Sequence, residues 1–182
     1  MAERLVALFR GINVGKAKRV GMADLRVLVE GLGFREVRTL LNSGNVVFTA
    51  PRAVAPDRAA GRIEKALADR LGVSARVTVI TAAELDAAVA GNPLAHVADE
   101  PARLLVSFLN RPADRAKLDP LTKEDWAPEV LGVGPRAAYL WCAGGILDSR
   151  LWAAVGRALG DGVTSRNWAT VLKLQALCAA GR

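Results

Sequence analysis

Residues 4–9 read Arg4-Leu5-Val6-Ala7-Leu8-Phe9, a nearly continuous apolar run. Such a run is typical of a β-strand that is buried on both faces of a sheet. A second run, Arg103-Leu104-Leu105-Val106-Ser107-Phe108, matches the first at three of six positions and predicts the same kind of strand. The match indicates an internal duplication in which each half begins with a buried strand.

The elements that follow the first strand are typical of a β-α-β-β-α-β half. Apolar residues recur at the helical period between residues 22 and 32 and again between residues 63 and 71. Strands are predicted at residues 37–41, 46–48 and 77–80, the first two joined by a turn. This order is ferredoxin-like. Thr81-Ala82-Ala83-Glu84 is a capping box and predicts one further helix.

The second half repeats this order except at its end. A polar helical stretch is predicted at residues 112–125, and a hairpin at residues 129–133 and 137–142. Apolar residues from Leu147 to Leu159 share one helical face, and a last helix is predicted to begin at Thr164 or Ser165. The predicted fold class is therefore α+β, with two ferredoxin-like halves, the second with its last strand replaced by a helix.

The predicted domain limits follow from a break in the middle of the chain. Residues 91–101 hold two prolines, a glycine, His96, Asp99 and Glu100, a composition typical of a linker. We predict an N-terminal half at residues 1–90, a linker at 91–101 and a C-terminal half at 102–182.

Composition excludes several classes of protein. With 52% hydrophobic and 24% charged residues among 182, the chain is globular and not disordered. It has no apolar run long enough for a membrane span and no signal-peptide pattern at its start, so we expect a cytoplasmic protein without a membrane partner. Cys142 and Cys178 lie in apolar surroundings and are expected to be buried, reduced thiols. A single histidine, His96, argues against a histidine metal site and a Ser-His-Asp triad, and we expect no cofactor.

The positive charge is concentrated toward the two ends. The net charge is +7, with +5 in residues 1–60, −1 in residues 61–125 and +3 in residues 126–182. A basic surface attracts phosphates, nucleic acid or an acidic partner. The alternative is that the 19 arginines against 6 lysines reflect only a GC-rich genome.

The first polar motif, Arg10-Gly11-Ile12-Asn13-Val14-Gly15, follows the first strand and is continued by three cations, Lys16, Lys18 and Arg19. Glycines let backbone N–H groups approach an anion, and the cations supply charge. The spacing is neither that of a Walker A loop nor that of the dinucleotide fingerprint. The motif predicts ligand contact through Arg10, Gly11, Asn13, Gly15, Lys16 and Lys18. The alternative is a solvated loop whose glycines serve turn geometry.

The second motif, Asn42-Ser43-Gly44-Asn45, has the residues of a good hairpin turn, because Gly and Asn tolerate positive φ. The turn is either purely structural, or it faces the first loop and offers Ser43, Gly44 and Asn45 to the same ligand.

The third motif, Thr164-Ser165-Arg166-Asn167-Trp168, is predicted to open the last helix with a hydroxyl cap. Arg166 would then lie in the first turn, where a cation is unfavourable because a helix N-terminus is already positive. A bound anion would relieve this conflict and predicts ligand contact through Thr164, Arg166 and Asn167. An internal partner, such as Asp148 or Asp161, is the alternative.

The three motifs, in this order and near these spacings, resemble the bacterial Domain of Unknown Function 1697 family. Met22-Ala23-Asp24-Leu25 and Asn92-Pro93 agree with the resemblance, which covers essentially the whole chain. Two positions depart from the family pattern: Leu94 stands where the family usually has Phe, and Ser165 where it often has Thr. The resemblance implies a small α+β protein with a ferredoxin-like duplication and implies no activity. Loop residues held in this way usually serve a site.

Three functional hypotheses stay open. The first is binding of a phosphate-bearing ligand, nucleic acid or nucleotide, with phosphates on Arg10, Lys16, Lys18 and Arg166 and hydrogen bonds from Asn13, Ser43, Asn45 and Asn167. A single site of this kind requires the basic ends of the chain to converge. The second is an enzyme for a small anionic substrate with Ser43 or Thr164 as the reactive hydroxyl, although no base pairs with either. The third is a structural role, in which the motifs lock the halves together and the surface serves a homodimer.

Overall fold

A computed structural model describes residues 2–180 of the chain. The contacts between these residues divide them into two compact units. Unit 1 comprises residues 2–83 and 174–180, and unit 2 comprises Glu84–Lys173. No described helix combines the length and the hydropathy that a membrane span requires.

Unit 1 is a four-stranded antiparallel sheet with two helices. In chain order its elements are β1 Glu3–Phe9, α1 Met22–Glu30, β2 Arg35–Leu40, β3 Asn45–Ala50, α2 Pro56–Leu71 and β4 Val77–Thr81. The strands are ordered β2-β3-β1-β4 across the sheet. This is the ferredoxin-like arrangement that the periodicity of residues 4–80 predicts.

The central strand of unit 1 is buried on both faces. Leu5, Ala7 and Phe9 belong to one apolar core with residues of α1 and α2. Val6 and Leu8 point to the opposite face, because side chains alternate along a strand, and both are also inaccessible to solvent. The continuous apolar run at residues 4–9 is explained by this double burial.

Unit 2 repeats the topology of unit 1. Its strands are β5 Leu104–Leu109, β6 Val130–Val133, β7 Ala137–Trp141 and β8 Val163–Asn167, in the sheet order β6-β7-β5-β8. A 3-10 helix at Pro112–Leu118 stands where unit 1 has α1. The remaining α-helices are α3 Ala82–Ala90, α4 Arg150–Leu159 and α5 Trp168–Ala179. The α+β class and the two similar halves are confirmed.

The last strand of the second half is present, and the prediction that a helix replaces it is wrong. Val163–Asn167 form β8, which pairs antiparallel with β5, and α5 begins only at Trp168. Ser and Thr hydroxyls resemble helix caps in the sequence, but a strand partner decides their conformation here. The N-terminus of α5 is capped by Asn167, whose Oδ1 accepts a hydrogen bond of 2.9 Å from the N–H of Thr170.

The duplication has a different register from the one that the sequence match suggests. Leu5 stands opposite Phe48 in its sheet, and Leu105 stands opposite Leu140 in the equivalent position of the other. Leu5 therefore corresponds to Leu105 and not to Leu104. A slip of one residue would move a side chain to the other face of the sheet. In agreement with the structural register, Leu5 and Leu105 both belong to the core on the helical side of their sheet.

Arg4 connects residues 174–180 to the sheet of unit 1. Its Nη1 donates to the carbonyl oxygen of Cys178 at 2.8 Å, and its Nη2 donates to Glu36 Oε2 at 2.8 Å. The hydroxyl of Thr49 donates to the same carboxylate at 2.6 Å. The hydrogen bonds from Thr49 and Arg4 lower the pKa of Glu36. The end of α5 is thus part of the polar network of unit 1.

Residues 91–101 lie within unit 2 and pack on its sheet. A Cβ atom added at Gly132 of β6 would lie 2.5 Å from Cγ of Pro93, so this glycine provides the space for the proline. The division into an N-terminal half at residues 1–90, a linker at 91–101 and a C-terminal half at 102–182 stays a prediction.

Candidate functional site

The loop at residues 10–20 is held in shape by one side chain, that of Asn13. The Nδ2 of Asn13 donates to the carbonyl oxygens of Val20 and Asn42, each at 2.8 Å. Its Oδ1 accepts from the N–H of Val20 at 2.8 Å. Its backbone has φ +55°, a left-handed conformation that Asn tolerates better than most residues. Both amide N–H groups of Asn13 are therefore used within the protein, one by the loop and one by the adjoining turn.

Gly44 lets the turn of the second motif pack against this loop. Its φ is +85°, and a Cβ atom there would lie 2.5 Å from Cδ1 of Ile12 and 2.8 Å from Cβ of Phe9. Its carbonyl oxygen accepts a 2.9 Å hydrogen bond from the N–H of Phe9. The first and second motifs thus lie together in unit 1, as the alternative to a purely structural turn requires.

Asn45 stabilises the turn through hydrogen bonds of its buried side chain. Its side chain is fully buried, and its Nδ2 donates to the carbonyl oxygen of Leu40 at 2.7 Å and to Ser43 Oγ at 3.1 Å. Like Asn13, Asn45 uses its amide within the protein. These contacts favour the structural interpretation for the two asparagines.

The outer side of the loop is positively charged. Lys16, Lys18 and Arg19 are exposed, and within residues 2–180 none of them forms an ion pair. The backbone N–H groups of residues 14–16 also find no acceptor in the described chain. Arg10 is half-buried, and its N–H donates to the carbonyl oxygen of Arg76 at 2.9 Å. Free cations and free N–H groups therefore coincide at the loop tip.

A pocket of about 370 Å³ lies where the loop, the turn and α1 meet, and its lining residues are Asn13, Arg19, Val20, Gly21 and Asn42. Arg19 and Asn42 are outside the set that the sequence assigns to a ligand. Their proximity depends on the packing of the turn against the loop, which no local pattern reveals. Asp24 also approaches this end of α1, since its Oδ2 would lie 2.9 Å from a Cβ atom on Gly21. An anion is therefore favoured on the Arg19 side of the pocket and disfavoured at the start of the helix.

The third motif lies on β8 of unit 2, and its helical interpretation is wrong. Arg166 stands opposite Val106 in the sheet and donates to the carbonyl oxygen of Ser165 at 2.8 Å. Burial lowers the pKa of Arg166 to about 10. Thr164 is buried, and Asn167 caps α5. The conflict between a cation and a helix N-terminus does not arise, because α5 begins two residues after Arg166.

The predicted ligand residues therefore divide into two sets. Unit 1 holds Arg10, Gly11, Asn13, Gly15, Lys16, Lys18, Ser43, Gly44 and Asn45, and unit 2 holds Thr164, Arg166 and Asn167. A single site that includes both sets stays a prediction.

The cap of α5 gives a direct test of the corrected helix boundary. We expect Asn167→Ala to lower the free energy of unfolding by about 1 kcal/mol, because the N–H of Thr170 loses its acceptor. Asn167→Asp should lose much less, since Asp is an equally good cap. Urea unfolding followed by circular dichroism measures both. If helix α5 began at Thr164 or Ser165, Asn167→Ala would instead be close to neutral and Ser165→Ala would be costly.

The comparison with protein families assigns the chain to a group. A family model described as "Protein of unknown function (DUF1697)" matches residues 2–139. The chain belongs to this family. The match ends before the third motif, which therefore lies outside the matched residues. A search of curated proteins finds no match.

A solved structure supports the fold of this DUF1697 protein. The conserved bacterial protein SP0830 from Streptococcus pneumoniae is similar to it with a TM-score of 0.74 and 22% sequence identity. The similarity covers 98% of this chain and 99% of that one. At this level of identity the similarity concerns the fold alone.

The two candidate reactive hydroxyls and the two thiols of the DUF1697 protein are engaged or buried. Ser43 Oγ accepts a hydrogen bond from Asn45, and Thr164 is buried. Cys142 and Cys178 are buried as predicted and form no disulfide, and burial raises the pKa of the Cys142 thiol. Between residues 2 and 180 there is no group of three or more His, Cys, Asp and Glu side chains placed to hold a metal ion.

Proposed function

We propose that this DUF1697 protein binds a phosphate-bearing ligand, a nucleic acid or a nucleotide, at residues 10–20 and the adjoining turn of unit 1. The observation that supports the proposal is the set of three exposed cations, Lys16, Lys18 and Arg19, on a loop whose shape is fixed by Asn13. We call Lys16, Lys18 and Arg19 the loop cations. A cytoplasmic location is part of the proposal.

Several cations of unit 1, unlike the loop cations, have an acidic counterion among the described residues. Arg26 pairs with Glu30 at 2.9 Å, Lys65 pairs with Asp69, and Arg76 approaches Glu64. Each of these has an acid of the same unit as its counterion. The charge of the loop cations is available to a phosphate. Binding of the phosphate is also favoured by entropy, because bound salt ions are released.

The geometry of the loop lowers the cost of binding. A loop already held by hydrogen bonds loses less conformational freedom when a ligand arrives. The N–H groups of residues 14–16 point to no internal acceptor and can donate to phosphate oxygens, as successive N–H groups do in anion-binding loops. Shape and charge therefore support the same ligand class.

Replacement of the three loop cations tests the proposal. We expect the Lys16→Ala/Lys18→Ala/Arg19→Ala variant to lose most of the binding of a labelled single-stranded oligonucleotide at about 50 mM salt. The slope of log K against log salt concentration should become shallower by about 2, since each lost phosphate contact removes about 0.7. Fluorescence anisotropy at several salt concentrations measures both quantities.

A matched variant controls for net charge. Arg115, Lys123 and Arg157 of unit 2 are exposed cations, and replacing all three by Ala changes the net charge by the same amount. We expect this variant to bind nearly as the parent protein does. Equal losses in the two triple variants would mean that overall charge, and not the loop, attracts the oligonucleotide.

A further inference from the structure

We infer that the ligand of this loop is a chain of phosphates recognised without its bases, as in the phosphodiester backbone of a nucleic acid. The inference rests on the proposed function and specifies the class of ligand that the same site takes. It follows from which chemical groups of unit 1 face solvent beside the loop cations and which are enclosed.

The aromatic rings of unit 1 are enclosed. They belong to Phe9, Phe34 and Phe48, which are at most 4% exposed. Phe34 and Phe48 pack on each other with ring centroids 4.6 Å apart, and Phe9 lies under Gly44. Recognition of single-stranded bases relies on exposed rings on which the bases stack. The rings of unit 1 stabilise its core instead.

Two of the three asparagine amides in the loop and the turn are also engaged. Asn commonly reads adenine through its side-chain amide. Asn13 uses both its N–H groups on the carbonyl oxygens of Val20 and Asn42, and Asn45 is fully buried. Asn42 is the exposed amide at the pocket, and the test below includes it. The groups of the loop that face solvent are positive charges and backbone N–H donors, and both bind phosphate oxygens.

The number of cations favours a chain of phosphates over a single nucleotide. Exposed ion pairs are individually weak. Three of them together supply less binding free energy than a dissociation constant of about 1 mM requires. A polymer presents many phosphates in overlapping registers and releases its condensed counterions on binding. Without a base contact to add affinity, a mononucleotide lacks these gains.

The test compares ligands that differ in their bases alone. The probes are fluorescein-labelled oligothymidylate of about 20 nucleotides and an abasic oligonucleotide of the same length, with ATP and inorganic polyphosphate as unlabelled competitors. We expect the two oligonucleotides to bind with dissociation constants within about 2-fold of each other, and ATP to displace neither below about 1 mM. Asn42→Ala should leave the ratio of the two oligonucleotide dissociation constants unchanged. The triple variant of the loop cations should weaken the binding of both oligonucleotides equally.

The outcomes separate this inference from the proposed function. Abasic binding about 10-fold weaker, or displacement by micromolar ATP, overturns the inference while the proposed function stands. Competition by polyphosphate at equal phosphate concentration supports recognition of a phosphate chain and identifies polyphosphate as an alternative source of it. Absence of binding to every probe at about 50 mM salt overturns the proposed function itself.

Discussion

Gly44→Ala is expected to lower the free energy of unfolding by about 2–5 kcal/mol. The left-handed backbone at this position, with φ +85°, costs an L-residue about 1–2 kcal/mol. The added methyl group would also lie within 2.5 Å of Ile12 and 2.8 Å of Phe9, an overlap that costs about 1–3 kcal/mol in a packed core. Thermal unfolding measures the change, and for a chain of this size the melting temperature should fall by roughly 10 °C.

Gly11→Ala is the matched control for this prediction. Gly11 has a similar φ of +68°, but a Cβ atom there would meet nothing within 4 Å. We expect it to cost about 1–2 kcal/mol, the conformational part alone. Equal effects of the two substitutions would show that the turn does not pack tightly on Ile12 and Phe9. The loop and the turn would then not form one surface.

The second large effect concerns Arg166, where two substitutions are expected to differ. We expect Arg166→Ala to lower the free energy of unfolding by about 2 kcal/mol, because the packed aliphatic stem and the hydrogen bond to the Ser165 carbonyl are both lost. Arg166→Met should remain within about 1 kcal/mol of the parent protein, since an apolar side chain of similar length often replaces a buried charge without loss. Urea unfolding at pH 7 compares the two variants.

The sign of the expected difference follows from the pKa of Arg166. Burial lowers it to about 10, well below the usual value of an arginine side chain. The folded state therefore binds this proton less tightly than the unfolded state does. Burial of the charge destabilises the fold below about pH 10, and this cost is relieved as the pH rises above the pKa of the folded state. Methionine removes the cost while keeping most of the volume.

Binding separates the two interpretations of Arg166. Arg166→Met should bind a labelled oligonucleotide within about 2-fold of the parent protein, because the proposed site uses the loop cations. If Arg166→Met folds stably and loses that binding, Arg166 contacts the phosphates, as the third motif suggests in the sequence. If it is as unstable as Arg166→Ala, the positive charge itself contributes to stability.

The topology of this protein can be predicted from the sequence because the burial of each element determines the pattern of its apolar residues. A strand buried on both faces requires the apolar run of residues 4–9, and the helices require apolar residues at their own period. The register of the duplication is harder to infer from the sequence. Leu104 and Leu105 are identical in type but lie on opposite faces of the sheet, and only their pairing partners distinguish them.

The candidate site is less predictable, because hydrogen-bond partners are set by the fold. Nothing in Asn13 or Asn45 tells whether its amide faces a ligand or a carbonyl of the same chain. In the third motif, Ser165 and Asn167 are both good caps by chemistry, and pairing of β8 with β5 selects Asn167. The exposure of the loop cations is predictable from the sequence, since charged residues between two secondary-structure elements normally face solvent.

Unit 1 draws on two stretches of chain that are made at different times. Residues 174–180 are synthesised about 90 residues after Ala83, a delay of roughly 5–20 s at usual rates of translation. During that interval Arg4 has no Cys178 carbonyl to bond, and the polar network with Glu36 lacks one of its members. The unit whose strands leave the ribosome first is therefore among the last parts of the protein to be completed.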